Sequence, residues 1–326
     1  MKHIRLSAGF LGPLCSLMGL FFLVCLSASA QRTMVVGCWN VENLFDCRHD
    51  TLKNDHDFLP EGAYRWTNAR YWKKLNDVSQ TIVAMGGEAG LPVVVGLCEV
   101  ENDTGMHDLT NRSALRTAGY EYVMTESDDA RGVDVALLYQ PLAFRLLEWH
   151  SVRVPSREHG MMPTRDMLYA KGMIPSGDTL HLVVCHLPSK AGGARQASQH
   201  RKLAATTLRG VVDSVLAISP DAKMLVMGDF NASWGERVFK PLCPPLCETL
   251  PTSRKKLLLP VGTYYFQRQW SYLDHILVTD GMLAWQRRVN NDLSSTLTAY
   301  EVKLPFLLNK EGTPHRTYKG SYYNGG

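Results

Sequence analysis

The sequence predicts an α/β protein with sheets inside and helices outside, and three observations carry that expectation. Six apolar runs of strand length recur along the chain, most of them are continuous Val, Leu and Ile, and two longer segments repeat apolar residues at helical spacing. A continuous apolar strand implies burial on both faces, so each sheet needs a layer above and below it. The strand-like runs are 34–41, 92–100, 133–139, 180–187, 224–230 and 272–278. In 68–85, Tyr71, Leu75, Val78 and Ile82 form one apolar stripe, with Lys73, Lys74 and Asp77 expected to face away. In 196–217, Leu203, Leu208, Val211 and Val215 do the same. The stretches 126–129, 156–163 and the Pro-rich 241–251 read as loops. No Pro/Gly/Ser linker divides the chain, so residues 31–326 read as one domain.

The first 30 residues stand apart. Lys2, His3 and Arg5 form a basic start, Leu11 to Leu26 is mostly apolar, and Ala28-Ser29-Ala30 offers a small-residue cleavage site before Gln31. The expectation is a secretory leader and an exported protein, periplasmic or secreted, with no transmembrane span after its removal. Losing Lys2 and Arg5 takes the net charge from +4 to +2. That balance excludes a protein that coats nucleic acid by charge alone. Six cysteines follow the leader: Cys38, Cys47, Cys98, Cys185, Cys243 and Cys247. This density is too low for a disulfide scaffold. Cys38, Cys98 and Cys185 lie in strand-like runs and read as buried thiols, while Cys243 and Cys247 are spaced to pair in a loop.

Polar residues at the ends of the apolar runs carry the chemistry. Asn40 and Glu42 close the first run; Asn and Glu oxygens are hard ligands suited to Mg²⁺, although an Asn at a strand end also caps backbone groups. Glu99 interrupts an apolar strand, where a carboxylate is costly without a cation or several donors. Gly228-Asp229-Phe230-Asn231 allows close backbone approach and sets an acid and an amide two residues apart, able to orient a water and to donate to a charged oxygen. A plain Asp-x-Asn turn is the competing reading. His186 ends another run and is followed by Lys190, Gly192-Gly193 and Arg195, a basic glycine-containing loop suited to an anion. Asp274 lies inside an apolar run, as does an Asp that holds a catalytic imidazole; His275 points to the other face and reads as structural.

Taken in order, Trp39-Asn40, Leu97-Cys98-Glu99, Gly132-Val133-Asp134 through Tyr139, His186, Gly228-Asp229-Phe230-Asn231 and Leu273-Asp274-His275 resemble the endonuclease/exonuclease/phosphatase superfamily. The resemblance covers essentially the whole chain after the leader. It implies a four-layered α/β sandwich with two facing mixed sheets and outer helices. It also implies hydrolysis of a phosphoester by in-line attack of water with Mg²⁺, or Mn²⁺, as cofactor. By position, Asn40 and Glu99, helped by Glu42, would hold the metal. Asp229 would orient the water, Asn231 and His186 would stabilise phosphoryl oxygens, Asp274 would orient a His, and Lys190 and Arg195 would bind phosphate. Nucleic acid is the first substrate class implied; inositol phosphates, lipid headgroups and a catalytically impaired ester-binding protein are the alternatives. The superfamily's Ser-Asp-His segment and the strand it leads into do not follow Asp274: Asp280-Gly281 is not such a motif, and His315 has no acidic residue before it. A chain lacking that strand, with reduced turnover, is the corresponding expectation.

Overall fold

Strand pairing sorts the apolar runs into two mixed sheets. The computed structural model describes residues 34–190, 193–250, 262–290, 297 and 299–325; the expected leader lies outside the described residues. In chain order the elements are β1 (Val36–Leu44), α1 (Asn68–Met85), β2 (Val94–Val100), α2 (Asp103–His107), β3 (Glu121–Met124), β4 (Asp134–Tyr139), β5 (Arg145–Val152), β6 (Met167–Met173) and β7 (Thr179–His186). There follow α3 (Ala194–Ile218), β8 (Lys223–Asp229), β9 (Leu246–Glu248), β10 (Tyr264–Phe266), β11 (Gln269–Ser271), β12 (Asp274–Thr279), α4 (Asp280–Asn290), β13 (Tyr318–Lys319) and β14 (Tyr322–Tyr323). One sheet runs β1-β2-β4-β3, the other β5-β6-β7-β8-β12-β9, and two hairpins, β10-β11 and β13-β14, stand beside them. β1 lies parallel to β2 and β7 parallel to β8, while β12 returns antiparallel to β8.

Side-chain alternation along the strands builds three apolar layers between four structural ones. Cys98, Val135, Leu137, Leu182, Val184, Leu225, Met227 and Val278 pack together between the two sheets. Their odd–even neighbours Val95, Leu97, Ala136 and Leu138 turn outward onto Tyr71, Leu75, Val78 and Ile82 of α1. On the other side, Val183, Cys185, Met224, Val226 and Leu277 meet Ala204, Leu208 and Val212 of α3. The helix–sheet–sheet–helix sandwich follows from strands whose two faces are both apolar. Each fully buried Leu, Ile or Val in these layers contributes on the order of 1.5–3 kcal/mol of transfer free energy.

The observed elements depart from the sequence expectations in polar and proline-rich stretches and also at β6, a largely buried strand that was not among the six expected runs. α1 has the expected bounds, but Lys74 does not face solvent: it is buried, with its ammonium on Thr317 Oγ1. α3 starts two residues before the expected stretch. β5 escaped notice because it is an exposed edge strand carrying Arg145, Glu148 and His150, charges that discourage pairing with another chain. The Pro-rich 241–251 contains a short strand, β9, held against the far edge of β12. All six described cysteines are free, so Cys243 and Cys247 do not pair.

Gly228 sets the tightest contact in the sheet. Its φ is +145°, and a Cβ there would lie 1.8 Å from the carbonyl oxygen of Cys185, its register partner on β7. Gly228→Ala should lower the unfolding free energy by at least about 2 kcal/mol in a urea titration. Gly210→Ala, in α3 with open space at its Cβ, should instead raise it by about 0.4–1 kcal/mol. Equal effects would refute the assignment of steric strain to Gly228.

Candidate active site

The strand-end residues picked out from the sequence meet where the two sheets face each other. Asn40 on β1 donates from Nδ2 to Asp229 Oδ2 on β8 at 3.0 Å, a hydrogen bond that joins the two sheets. His186, at the end of β7, places Nε2 3.6 Å from Asp229 Oδ2 and 3.9 Å from Glu99 Oε1. Asp274 is the direct register partner of Asp229 across β12 and β8. Asn231 donates its backbone N–H to Asp229 Oδ1 at 2.8 Å and its amide to Leu187 O at 3.0 Å.

Local backbone departures aim several of these groups. Regular alternation would send Glu99 outward towards α1, because Leu97 and Val100 both face that layer. Instead the β2–β4 register shifts between Cys98 and Val100, and Glu99 adopts φ +65°, so the bulge turns its carboxylate into the site. A second irregularity in β1 gives Glu42 and Asn43 φ values of +58° and +62°, and Asn43 N–H donates to Glu99 Oε2 at 3.0 Å. Asn231 is left-handed too, at φ +48°. Such conformations cost about 1–3 kcal/mol each for non-glycine residues and persist where surrounding contacts hold them.

Burial dominates the electrostatics. It pushes the Asp229 carboxyl above its usual range, with Glu99 adding to the effect and the Asn231 N–H and Asn40 amide opposing it. Asp274 is raised further, by burial first and then by Asp229. Burial, with Arg165 and Arg131 behind it, holds His186 well below the usual imidazole value, so the ring is neutral. Asp274 Oδ1 and His186 Nδ1 are buried without a hydrogen-bond partner. A set of carboxylate and amide oxygens around unpartnered buried atoms fits a hard divalent cation, which would offset the crowded negative charge.

Other predicted residues lie at the margin. The carboxylate of Glu42 does not join Asn40 and Glu99: the Arg316 guanidinium binds it, and Thr317 N–H donates to it at 3.3 Å. Asn40 Oδ1 meanwhile accepts the Glu42 N–H at 2.9 Å. Lys190 is exposed and paired with Glu236 at 3.0 Å, and Arg195 is exposed in the first turn of α3. The buried cation behind the site is Arg165, which donates to Leu187 O at 2.8 Å and Asp129 Oδ2 at 3.2 Å. Lys74 is a second cation missed from sequence; Glu42 and Glu99 act on it while burial lowers its pKa. Its one legible signal was a lysine three residues after Tyr71, at the border of the α1 stripe. His275 is structural, buried on the outer face between Glu248 Oε2 at 2.5 Å and Ala232 O at 3.0 Å.

The two sheets thus present three acids, an amide pair and a neutral histidine at one shared end. The chain belongs to the endonuclease/exonuclease/phosphatase family, whose sequence pattern matches residues 35–326. Phosphoester hydrolysis is the chemistry that family supports, and its enzymes are typically dependent on a divalent metal. Among solved structures, the chain is similar to the human nocturnin catalytic domain, with 18% identity, coverage of 76% of this chain and 83% of that one, and a TM-score of 0.51. A mannosyl-6-phosphatase from Bacteroides thetaiotaomicron is similar at 14% identity, 76% and 86% coverage and a TM-score of 0.52. So is a functionally unknown conserved protein from Enterococcus faecalis, at 15% identity, 75% and 86% coverage and a TM-score of 0.50. These likenesses speak to the fold. A sequence comparison with curated proteins found no match.

The paired acids make stability depend on pH. Asp229 and Asp274 have folded pKa values above the unfolded value of about 3.9, so their stabilising contribution is complete below about pH 4. It is lost as pH rises through the folded values. In EDTA, urea unfolding from pH 4 to 8 should show a smaller loss of stability for Asp274→Asn than for the unaltered protein. Parallel profiles would mean that the two carboxyls do not repel.

Proposed function

We propose that this protein is an exported, Mg²⁺-dependent phosphodiesterase acting on nucleic acid. The observation that carries the hydrolase reading is the convergence of Asn40, Glu99, His186, Asp229, Asn231 and Asp274 at one end of the sandwich. Asn40 and Glu99 are the residues that would hold Mg²⁺ or Mn²⁺, which supplies charge neutralisation at a phosphoryl oxygen when bound. Asp229, acceptor of two hydrogen bonds, orients the attacking water and takes its proton. Asn231 spends one amide N–H on Leu187 O and keeps the other for a phosphoryl oxygen. His186, neutral and buried, donates a hydrogen bond without adding a positive charge. Asp274, the register partner of Asp229, is raised by burial and then by the Asp229 charge, so it is the more readily protonated of the two.

Nucleic acid is favoured by the β10–β11 hairpin, which runs directly into Asp274 and carries Tyr264, Tyr265, Phe266 and Trp270. Phe266 is 56% exposed, and such rings offer faces on which bases stack. Arg195 is an exposed cation within reach of a flanking phosphate, and Lys190 would have to exchange its Glu236 partner for one. Export rests on the basic, apolar and small-residue sequence of positions 1–30. No described helix is long and apolar enough to cross a membrane.

Hydrolysis should be tested on DNA, RNA, bis-p-nitrophenyl phosphate, p-nitrophenyl phosphate and sphingomyelin with Mg²⁺ and with EDTA. The expected result is EDTA-sensitive cleavage of DNA or RNA, and of the synthetic diester, with Asp229→Ala and Glu99→Gln each slowing kcat by about 10²–10⁴. A preference for the monoester would move the protein to the phosphatases, and cleavage of sphingomyelin alone to the phospholipase type. Ester binding without turnover would refute the hydrolase reading.

A further inference from the structure

A second group of metal-binding side chains lies in the loop between β1 and α1. Asp55 is 1% exposed, yet two histidines converge on it. His49 Nδ1 stands 2.5 Å from Asp55 Oδ1, and the His49 and His56 rings lie 4.3 Å apart between centroids, tilted by 32° to each other. One ligand atom from each of His49, Asp55 and His56 falls within 4.8 Å of the other two. Tetrahedral bonds of about 2.0–2.1 Å place ligand atoms roughly 3.3 Å apart, which small rotations of two exposed rings can reach.

The backbone that presents these groups is held from several sides. Asp55 Oδ2 accepts the Asp50 N–H at 2.7 Å, and Asp50 Oδ1 accepts Leu52 N–H at 2.9 Å. Asn54 N–H donates to Ala130 O at 2.7 Å, and Lys53 Nζ to Ser127 O at 2.5 Å, fastening the loop to the turn between β3 and β4. Gly62 packs where a Cβ would lie 2.0 Å from His56 O. Burial first, and then Asp46, Asp55 and Asp50, push the nearby Glu101 carboxyl up to about 8, which places several acidic side chains on this side of the loop. None of these residues belongs to the hydrolytic site, and their donor set differs from it: two imidazoles and one carboxylate suit a borderline transition metal, whereas Asn40 and Glu99 suit a hard one.

We propose that His49, Asp55 and His56 form a separate Zn²⁺-type site, with three protein ligands and a fourth position open to water. A cation there ties the loop ahead of α1 to itself through side chains as well as through backbone hydrogen bonds, so binding stabilises the folded chain.

The test uses tag-free, EDTA-treated protein carrying Glu99→Gln, so that the outcome is independent of the hydrolytic site. Calorimetric titration with Zn²⁺ alone should show one ion per chain, and Co²⁺ should give the visible absorption of a four-coordinate site. Adding His49→Gln or His56→Gln should weaken Zn²⁺ binding at least about tenfold. Zn²⁺ should raise the Tm of the Glu99→Gln protein but not that of the two double variants. Each double variant's own metal-free Tm serves as its reference, so that loss of the His49–Asp55 hydrogen bond is separated from loss of Zn²⁺ binding. Absence of Zn²⁺ binding, six-coordinate Co²⁺ absorption, or affinity unchanged in both histidine variants would overturn the site.

Discussion

Asp229 and Asp274 stand opposite each other on adjacent antiparallel strands at the junction of the two sheets, Asp229 buried and Asp274 half-buried with its Oδ1 atom out of solvent. Two carboxylates in that position repel and lack water to screen them, so something must compensate. The surroundings do so in part: the Asn40 amide, the Asn231 N–H and the Asp274 contact with Thr263 are all polar, and none brings a positive charge into direct contact. Arg165 helps from behind, bound to Leu187 O and Asp129. The remaining negative charge is what makes this end of the sandwich a place for a divalent cation and a phosphoester.

That arrangement depends on how closely the sheets and strands approach. Gly228 lets β8 lie against the Cys185 carbonyl immediately before Asp229. Gly96 does similar service between the sheets, since a Cβ there would press on Met227 and Val184 at 3.0–3.1 Å. The intersheet layer of Cys98, Val184, Leu225, Met227 and Val278 then fixes the spacing across which Asn40 reaches Asp229. The same packing that supplies stability therefore sets the distances at the site.

The loop that follows β1 works by different means. Few of its contacts are apolar layers; Asp50, Asp55, Asn54 and Lys53 organise it through hydrogen bonds to nearby backbone. Phe45 and Phe58 stack at 4.3 Å beneath it, and Trp66 Nε1 donates to Phe45 O at 2.8 Å, joining the loop to the core. Further along the chain, Tyr318 donates to Tyr64 O at 2.9 Å and Arg316 holds Glu42, so residues 316–318 share the same wall.

The sequence by itself determined the layers and most of the site. Runs apolar on both faces require cover above and below, which is why β1, β2, β4, β7, β8, β12, α1 and α3 were legible. Polar residues breaking those runs, Glu99, Asp229 and Asp274 above all, marked the strand ends that meet, because an acid in an apolar strand needs a reason. The exposed edge β5 and the Pro-rich β9 were not legible, since their strand state comes from a neighbour's open hydrogen bonds and not from their own pattern. Tertiary structure alone decided direction and partnership. A bulge at φ +65°, which period-two alternation cannot reveal, swings Glu99 into the site; a contact 274 residues away draws Glu42 out of it. Lys74 and Arg165 became buried partners, and His49 came to share Asp55 with His56, for the same reason. Such pairings depend on distances across the fold, and those exist only once the layers have closed.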